Sequence, residues 1–512
     1  MNIASFSWKI ERNHFYLVLI MVFGAVIRLS LLENSLRYPD SMHYAYGAEC
    51  LLKYGRYVIP VNGFFTPPQY PFGLPLIISV FYLFLGMNEE AARLTVTSFG
   101  ILSILVVYLF TKELLKSEAV GLISALFLSL SPLHWFYSTT IMSDVASMFF
   151  GTVSLYLLLK GAKTEKKRFF ILSGLLMGCS VSVHLSNTLF YVVAFAFLIY
   201  YKGFKFLRSV DFLLFEISSF VAMVPFLAYT GWLYNTFHVF FGYQMWMGPE
   251  SFARAFSLSN VFHNFPFLLW VLFLPSVNVP NEHYLFLPAS ASFFFVAGYI
   301  FLLREKQRAE ALLLTAWLMA FLTFFLIFCV PDTRYLLPAL PAFTALVSYG
   351  LLRLYHVILE KLDRADQRLT VLPKVFLVAS LLVITLPSAV AGYSLIEPRH
   401  SQPNPDKMMA VWIRDNVPKE AIIINGAGEY IIYYCQRYDI YGWKSIHVIH
   451  AIADIPSILN YILEGHPVYA VFDAVTQALY VSQFDELKNN LNFSYFAIIP
   501  ETNIVVYRVY RR

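Results

Sequence analysis

Two acidic residues lie at the edges of long apolar segments, where charge is costly and usually has a function. Asp40 begins the amphipathic segment DSMHYAYGAECLLKYG directly after the first apolar run, and Gly55 is expected to end its helix. Asp144 precedes another apolar run in YSTTIMSDVASMFF. Helix capping alone would also explain both positions. We predict that Asp40 and Asp144 are catalytic, with Asp40 as a general base.

An arginine and a tyrosine begin a later apolar run, in CVPDTRYLLPALP. The planar guanidinium of Arg334 can bind a phosphate group through two hydrogen bonds at once. The alternatives are an ion pair with Asp332 or a side chain that extends to the lipid head groups. We predict a phosphate site at Arg334 and Tyr335.

Two further side chains are candidates for the same phosphate site. Arg93 starts an apolar run in NEEAARL, where an ion pair with Glu89 or Glu90 is the simpler explanation. His184 lies in CSVSVHLSNTLF, where two apolar runs meet with almost no loop between them. A single histidine is more often a hydrogen-bonded structural group than a ligand.

A metal site has little support from the residue pattern. His43 follows Asp40 by one helical turn, so both side chains are candidate ligands for a divalent ion, but two residues do not make a metal motif. The four cysteines are far apart and show no CxxC spacing. No cofactor is required by the sequence, and a divalent metal at Asp40 and His43 is the remaining candidate.

The composition places these residues in an integral membrane protein. Of 512 residues, 58% are hydrophobic and only 13% are charged, which a fully water-exposed surface would not sustain. The formal net charge of +5 is too small to indicate a nucleic-acid partner. The C-terminal segment contains no G-x-G-x-x-G or P-loop motif, so a nucleotide role is not predicted.

The lengths of the apolar runs and the positions of the basic clusters predict the topology. About eleven spans are expected, at 14–33, 94–111, 119–137, 145–160, 169–184, 186–201, 211–233, 284–303, 311–330, 336–355 and 374–393. Lysine and arginine cluster in loops that we place in the cytoplasm, together with the N-terminus. The Pro-interrupted or short stretches 67–86 and 265–277 would disturb that placement if they crossed, so we predict interfacial helices there.

This topology places the first loop, 34–92, the loop 234–283 and the whole segment after 393 outside the cytoplasm. The C-terminal segment alternates helical and β-branched patterns, from DKMMAVWIRDNV and AIIING to IPSILNYILEG and VYAVFD. FSYFAIIP and NIVVYRVY would complete a small sheet. We therefore predict an α-helical polytopic domain, 1–393, and a small extracytoplasmic α/β domain, 394–512, in a multi-pass protein of the cell membrane.

In their order along the chain, these segments resemble the C-type (GT-C) membrane glycosyltransferases, and most closely glycosyltransferase family 39. The resemblance rests on PDSMHYAYGAECLLKYGRY, TPPQYPFGLPLI, SPLHWFYSTTIMSDVASMFF and DTRYLLPALPAF. That family includes protein O-mannosyltransferases and aminoarabinose transferases. The resemblance implies a GT-C-like fold and transfer of a hexose or pentose from a polyprenyl-phosphate donor to a glycan, protein or lipid acceptor.

The resemblance also assigns roles to individual residues. Asp40 matches the catalytic acid of the first loop, Asp144 the acid before the fourth span, and Arg334 the arginine expected near the donor phosphate. Ser41 stands where many relatives have a second acid, which weakens the metal site. The residues before the two adjacent prolines are Phe-Thr, where aminoarabinose transferases have Glu-Lys, which argues against that reaction.

A lipid or solute transporter without catalytic activity is the competing functional class. The sequence shows no charged relay in mid-span and no pair of Gly/Pro-broken spans in matching halves. The acids instead lie at one membrane edge, which favours the enzyme.

Overall fold

The structure is a computed structural model that describes residues 12–242, 244, 255–273, 287–329, 332–365, 371–453 and 455–512. Its helices, numbered in chain order, are α1 (Arg12–Leu29), α2 (Pro39–Tyr54), α3 (Gly73–Leu85), α4 (Glu89–Leu115), α5 (Glu118–Leu130), α6 (Pro132–Thr139), α7 (Ser143–Thr164), α8 (Lys167–Val183), α9 (Leu189–Lys202), α10 (Val210–Phe237), α11 (Ser259–Phe273), α12 (Ser290–Arg304), α13 (Arg308–Ile327), α14 (Leu340–Ala365), α15 (Val371–Ser401), α16 (Pro405–Asn416), α17 (Gly428–Ile431), α18 (Val448–Ala453), α19 (Ile455–Leu463), α20 (Ala474–Leu479) and α21 (Val481–Asn490). The strands are β1 (Ile59–Val61), β2 (Phe64–Thr66), β3 (Ile422–Asn425), β4 (Lys444–His447), β5 (Val468–Phe472), β6 (Asn492–Ile498) and β7 (Val505–Tyr510). Single 3₁₀ turns cover Leu185–Thr188, Phe204–Arg208 and Thr333–Ala339, and a π-helical turn covers Ile432–Gln436.

Long apolar helices confirm the predicted polytopic helical fold. Within the described ranges, seven helices are long and apolar enough to cross a membrane, or eight if the bent pair α5 and α6 is one span. Helices α1, α3 and α12 are apolar but shorter. The total of about eleven spans stays a prediction.

The two stretches predicted as interfacial helices form α3 and α11. Helix α3 has 13 residues, which corresponds to a length of about 20 Å. This is shorter than the hydrocarbon core, which is about 30 Å thick. Residues 274–286 lie outside the described residues, as do 243 and 245–254, so the predicted outer loop 234–283 is described only in part. Interfacial placement of both helices stays a prediction.

The span predicted at 119–137 forms the bent pair α5 and α6, with a bend of 58° between the two helices, and a single crossing by this pair stays a prediction. Pro132 begins α6 and has no backbone N–H to continue the helical hydrogen bonds of α5. The buried Arg28 guanidinium donates to the Ser129 carbonyl at 3.1 Å and lies 2.8 Å from His134 Nδ1. Arg28 therefore satisfies a carbonyl oxygen next to the break.

Contacts divide the chain into two compact units. The first, which we call the helical unit, contains Met1–Leu32, Pro71–Leu74 and Arg93–Pro398. The second, which we call the loop–sheet unit, contains Glu33–Tyr70, Pro75–Ala92 and Arg399–Arg512. The loop–sheet unit thus combines much of the first predicted loop with the C-terminal segment. The domain boundary at residue 393, drawn from composition, stays a prediction.

Small residues allow the backbones of the helical unit to pack closely. A Cβ atom at Gly174 of α8 would lie 2.1 Å from the Phe215 carbonyl oxygen of α10, and one at Gly178 would lie 2.3 Å from the Ser219 carbonyl. Neither distance is compatible with a side chain. Close approach through glycine is a common way for membrane helices to associate.

The C-terminal segment forms a five-stranded sheet in the order β4-β3-β5-β7-β6. Strand β3 pairs in parallel with β4 and β5, whereas β7 pairs antiparallel with β5 and β6. Buried Ile424, Val468, Phe484 and Leu487 contribute to the core against the sheet. The predicted small α/β fold is confirmed. Strand β4 was missed because KSIH is a half-exposed edge strand without a β-branched run.

Polar contacts within the loop–sheet unit connect the first loop to the C-terminal segment. The Asn62 side chain donates to the Ser445 carbonyl at 3.0 Å and accepts from the Ser445 N–H at 2.8 Å, so it pairs with edge strand β4. Arg437 Nη2 lies 3.2 Å from Glu49 Oε2 in a largely buried ion pair. These contacts hold α2 and its acidic first turn against the C-terminal segment.

Candidate active site

Asp40 lies in the first turn of α2 and is not its N-cap. The cap is Tyr38, whose backbone is extended and whose carbonyl accepts from the Ser41 N–H at 3.1 Å. Pro39 follows at the first helical position, where its missing N–H costs little. Gly55 ends the helix at φ +63°, as predicted. The capping interpretation of Asp40 is therefore wrong, and its carboxylate is half-buried in the first turn.

His43 lies one turn after Asp40 and is buried. Removal from water lowers the pKa of its imidazole to about 4, although the charge of Asp40 opposes the shift. The ring packs edge-on against Tyr70, with 5.9 Å between centroids. A neutral imidazole near pH 7 can donate or accept a hydrogen bond next to Asp40 without cancelling the Asp40 charge.

Sequence analysis missed a second carboxyl group, that of Glu429, whose pKa responds to the charge of Asp40. Glu429 follows β3, and the Asp473 carboxylate fixes the preceding turn by accepting from the Gly426 and Ala427 N–H groups at 2.8 and 3.1 Å. Burial raises the pKa of Glu429, and the charges of Asp40 and Asp473 raise it further. An acid just after the carboxyl end of a parallel strand is the signal that was available in GAGEY.

A small cavity of about 10 Å³, room for about one water molecule, adjoins α2 within the loop–sheet unit. Its walls combine apolar side chains with a phenol, an imidazole and a carboxylate. The lining residues are Met42, His43, Tyr46, Ile59, Glu429, Ile432 and Tyr433. The charge of Asp40 affects the pKa of both His43 and Glu429, and His43 follows Asp40 by one helical turn, so the cavity lies next to the predicted base.

The donor set does not amount to a metal centre. In the part of the chain that the structure describes, no group of three or more His, Cys, Asp or Glu side chains is arranged to hold a metal ion. Asp40 and His43 would supply two ligands, whereas protein metal sites usually supply three or more. A metal at these residues stays a prediction, and no step proposed below depends on it.

Asp332 and Arg334 form an ion pair at the start of the 3₁₀ turn that precedes α14. Arg334 Nε lies 3.1 Å from Asp332 Oδ2, so the pairing considered from sequence is present. Among its other contacts, Nη1 lies 3.9 Å from the Met142 sulfur and Nη2 donates to the Tyr335 hydroxyl at 3.3 Å. The ion pair with Asp332 engages the Nε edge of the guanidinium.

Four of the predicted site residues meet around this ion pair in the helical unit. The Arg334 guanidinium lies 5.2 Å from the centroid of the Tyr335 ring, and His184 packs against the same ring at 6.4 Å. The charge of Arg334 acts on His184, and that of Asp144 acts on Tyr335. The structure therefore brings Asp144, His184, Arg334 and Tyr335 together.

His184 also has the structural role considered from sequence. Helix α8 ends at Val183, and the His184 side chain caps the following 3₁₀ turn by accepting from the Ser186 N–H at 3.3 Å. The predicted absence of a loop at this point is confirmed. The cap orients the imidazole while its ring faces Tyr335.

Asp144 is the second residue of α7, and the N-cap is Met142 without a side-chain hydrogen bond. The simple capping interpretation is therefore wrong for Asp144 as well. Its side chain is buried, with 4% exposed. A buried carboxylate requires compensating charge or hydrogen bonds, which fits its position near the Arg334 cluster.

Arg93 lies in α4 within the helical unit and is buried, with 5% exposed. Of its suggested partners, Glu89 accepts a hydrogen bond from the Tyr434 hydroxyl at 2.7 Å and lies 3.4 Å from Lys407 Nζ. A role of Arg93 in the phosphate site stays a prediction.

Comparison with known sequences identifies a family segment. Residues 69–232 match the family model described as dolichyl-phosphate-mannose-protein mannosyltransferase. This range includes Arg93, Asp144 and His184, whereas Asp40 and Arg334 lie outside it. An uncharacterised protein of Aquifex aeolicus is 28% identical over 343 residues, which are 65% of this chain and 63% of the relative. The match thus spans just under two thirds of that relative's length.

Solved structures share the fold over nearly the whole chain. ArnT from Cupriavidus metallidurans in the apo state superposes with a TM-score of 0.67 at 15% identity, covering 96% of this chain and 98% of that one. The same protein bound to undecaprenyl phosphate gives 0.66 at 16% identity, with the same coverage. The apo oligosaccharyltransferase of Archaeoglobus fulgidus gives 0.65 at 13%, covering 96% and 74%. The GT-C-like fold expected from the sequence is confirmed, since the chain shares the fold of these structures over nearly its whole length, and its residues 69–232 match the mannosyltransferase family model.

Proposed function

We propose that the chain transfers a sugar from a polyprenyl-phosphate-linked donor to an acceptor hydroxyl at the outer face of the cell membrane. The matched family segment is named for dolichyl-phosphate-mannose, and one structure of the same fold holds undecaprenyl phosphate. Both similarities support a donor whose sugar is attached to a lipid phosphate. The observation that carries the proposal is the cluster of Asp144, His184, Arg334 and Tyr335 in the helical unit.

Arg334 is the proposed ligand of the donor phosphate. Asp332 holds its Nε, so the guanidinium is oriented in advance and loses less side-chain freedom on binding. As the bond between sugar and phosphate breaks, negative charge develops on the departing oxygen, and a fixed cation stabilises that charge. Tyr335 and His184 supply further hydrogen-bond donors, and Arg93 adds positive charge. Asp144 keeps the cationic cluster in place.

Asp40 is the proposed general base. Its carboxylate is half-buried, so an acceptor hydroxyl can reach it. Proton abstraction by a positioned carboxylate typically accelerates a reaction by about 10² to 10⁴-fold. The neutral His43 can hydrogen-bond to the acceptor without competing for charge with Asp40.

The proposed sugar transfer needs no general acid. The acceptor oxygen forms a bond to the anomeric carbon on the face opposite the lipid phosphate, and its proton passes to Asp40. The bond between the anomeric carbon and the phosphate oxygen breaks, and its electron pair leaves with the phosphate. Because a phosphate is already a good leaving group, the second carboxylate of glycoside hydrolases is not needed. The product has inverted configuration at the anomeric carbon.

The proposed topology has a cytoplasmic N-terminus and an extracytoplasmic loop–sheet unit, which places the base on the side where the acceptor is exposed. The basic loops predicted to face the cytoplasm support this orientation. Accessibility labelling of Asp40→Cys from outside intact cells tests it. Labelling only after permeabilisation would contradict the proposal.

Mass spectrometry of surface glycans, glycoproteins and glycolipids tests the reaction. Cells that lack the chain are complemented with the parent, with Asp40→Asn, or with Asp485→Asn, which changes an exposed acid paired with Lys488. We expect one hexose or pentose that is present with the parent and the Asp485→Asn control and absent with Asp40→Asn. The same sugar at parent level in the Asp40→Asn cells would reject the base assignment.

A further inference from the structure

Arg28 is a buried cation that the proposed reaction does not use. It lies in the last turn of α1, and its side chain is fully buried. In the part of the chain that the structure describes, no carboxylate pairs with it. A buried charge without a counter-ion is costly, and in a membrane protein such a residue usually has a function.

The Arg28 guanidinium joins the two helices on either side of the bend. Its Nη1 donates to the Gly24 carbonyl of its own helix at 2.9 Å and to the Ser129 carbonyl of α5 at 3.1 Å. Its Nη2 lies 2.8 Å from His134 Nδ1 of α6. Because an arginine can only donate, His134 accepts through Nδ1 and its imidazole is neutral. The planar fork reaches both helices at once and fixes the start of α6 against the end of α5.

Helix α6 also carries a side chain that contacts the proposed phosphate site. Tyr137 follows His134 by three positions, so both lie on one face of a helix of only eight residues. The Tyr137 hydroxyl donates to Asp332 Oδ1 at 3.5 Å, and Asp332 Oδ2 lies 3.1 Å from Arg334 Nε. A change in the orientation of α6 would therefore move the hydroxyl away from Asp332.

The other end of α6 is held by α4. The Thr97 hydroxyl donates to the Ser138 carbonyl at 2.9 Å. Gly100 has no room for a Cβ atom because the Ser138 side chain packs against it. With this end fixed by close packing, the orientation of α6 depends on the contacts at its start, which include those of Arg28.

We propose that Arg28 is a positioning residue for the phosphate site: it sets the start of α6, so that the Tyr137 hydroxyl meets Asp332 and Asp332 orients Arg334. The inference rests on the proposed function and adds to it a residue of α1 that acts only through α6. A role limited to closing the bend would affect the stability of the chain. Positioning also affects how tightly the folded chain binds a lipid phosphate.

Binding of undecaprenyl phosphate to the purified full-length chain in detergent, followed by tryptophan fluorescence, tests this role. Arg28→Lys keeps the charge but loses the planar fork, and Tyr137→Phe removes only the hydroxyl that contacts Asp332. We expect each variant to raise the Kd about tenfold, after correction for the folded fraction from thermal unfolding. The matched control, Arg353→Lys, changes an arginine of the helical unit that pairs with Glu305 and should bind as the parent does.

A double-mutant cycle supplies a readout that a purely structural role would not change. If Arg28 acts through Tyr137, Arg28→Lys combined with Tyr137→Phe should raise the Kd no further than the larger single change. His134→Leu, which removes the acceptor on α6, should give the same result in place of Arg28→Lys without changing the buried cation. His134→Asn, which retains an acceptor oxygen, should restore part of the affinity.

A parental Kd for Arg28→Lys or His134→Leu would overturn the positioning role while leaving the phosphate site intact. Effects of Arg28→Lys and Tyr137→Phe that multiply in the double variant would overturn it as well. Undecaprenyl phosphate binding that Arg334→Ala does not weaken would instead reject the phosphate site on which the inference rests.

Discussion

Asp332 holds Arg334 through two different contacts. Its Oδ2 lies 3.1 Å from Arg334 Nε, and its Oδ1 accepts from the Arg334 backbone N–H at 3.0 Å. The same carboxylate therefore orients the guanidinium and begins the 3₁₀ turn that carries it. The Tyr137 hydroxyl donates to Asp332 Oδ1 at 3.5 Å and helps to fix the acid. The guanidinium is thus positioned before any ligand binds.

Arg334→Ala is expected to raise the KM for the lipid-phosphate donor by about 10- to 100-fold, since a hydrogen bond to a charged group contributes about 1.5–3 kcal/mol. Arg334→Lys should lie between parent and Arg334→Ala, because an ammonium keeps the charge but loses the planar fork. Steady-state kinetics of the purified chain in detergent measure the effect. Arg414→Ala, which breaks an exposed pair with Asp415, serves as the control. An unchanged donor KM in Arg334→Ala would contradict the phosphate role.

Asp40→Asn is expected to abolish transfer with little loss of stability. Tyr38 and Pro39 begin the helix, so the substitution leaves the N-cap intact, and the lost interaction of the carboxylate with the helix dipole contributes about 0.3–1 kcal/mol. Single-turnover transfer and thermal unfolding, measured on the same preparation, separate the two effects. A variant that loses activity only in proportion to unfolding would show that Asp40 is structural.

The stability of the loop–sheet unit is expected to fall as pH rises from about 4 to 7. Burial and the charge of Asp473 raise the pKa of Asp406 to about 7 from its ordinary value of 3.8. Between these values the folded chain retains a proton that the unfolded chain has lost, so ionisation favours unfolding by up to about 1.4 kcal/mol per pH unit. Stability should then level off above pH 7.

Hydrogen exchange of the β3 and β5 amides across this pH range, corrected for intrinsic exchange, measures the effect. Asp406→Asn should reduce the slope, the remainder coming from Glu429 and Asp473, whose pKa values burial also raises, and Asp485→Asn should leave it unchanged. Stability that rises with pH over the same interval in the parent chain would contradict the assignment.

The buried ion pair between Glu49 and Arg437 is expected to hold α2 in place. Removing one partner of a buried pair typically costs about 3–5 kcal/mol, because the other charge is left without compensation. Lys53 also contacts Glu49, so we expect Arg437→Ala to lie at the lower end of that range. Arg437→Ala combined with Glu49→Gln should cost less than the sum of the single changes. Strict additivity in this double-mutant cycle, measured by denaturant unfolding, would show that the pair is not coupled.

Local patterns predicted the elements whose physics is local. The apolar runs indicated membrane helices, Gly55 ended α2, and β-branched runs indicated β3, β5, β6 and β7. Local patterns did not predict structural features that depend on a side chain elsewhere in the chain. At the bend before α6, the Ser129 carbonyl accepts a hydrogen bond from Arg28, which lies about a hundred residues earlier. Strand β4 is hydrogen-bonded along its edge by the side chain of Asn62.

The sequence by itself determined the class of the protein, because hydropathy, basic loops and acids at membrane edges depend only on which residues are near one another in the chain. It also singled out Asp40, Asp144 and Arg334. Only the tertiary structure decided what surrounds them, because burial and charge depend on segments that are distant in sequence. The approach of Glu429 to Asp40 and the contacts of Arg334 with Asp332 and Tyr335 exist only once the chain has folded.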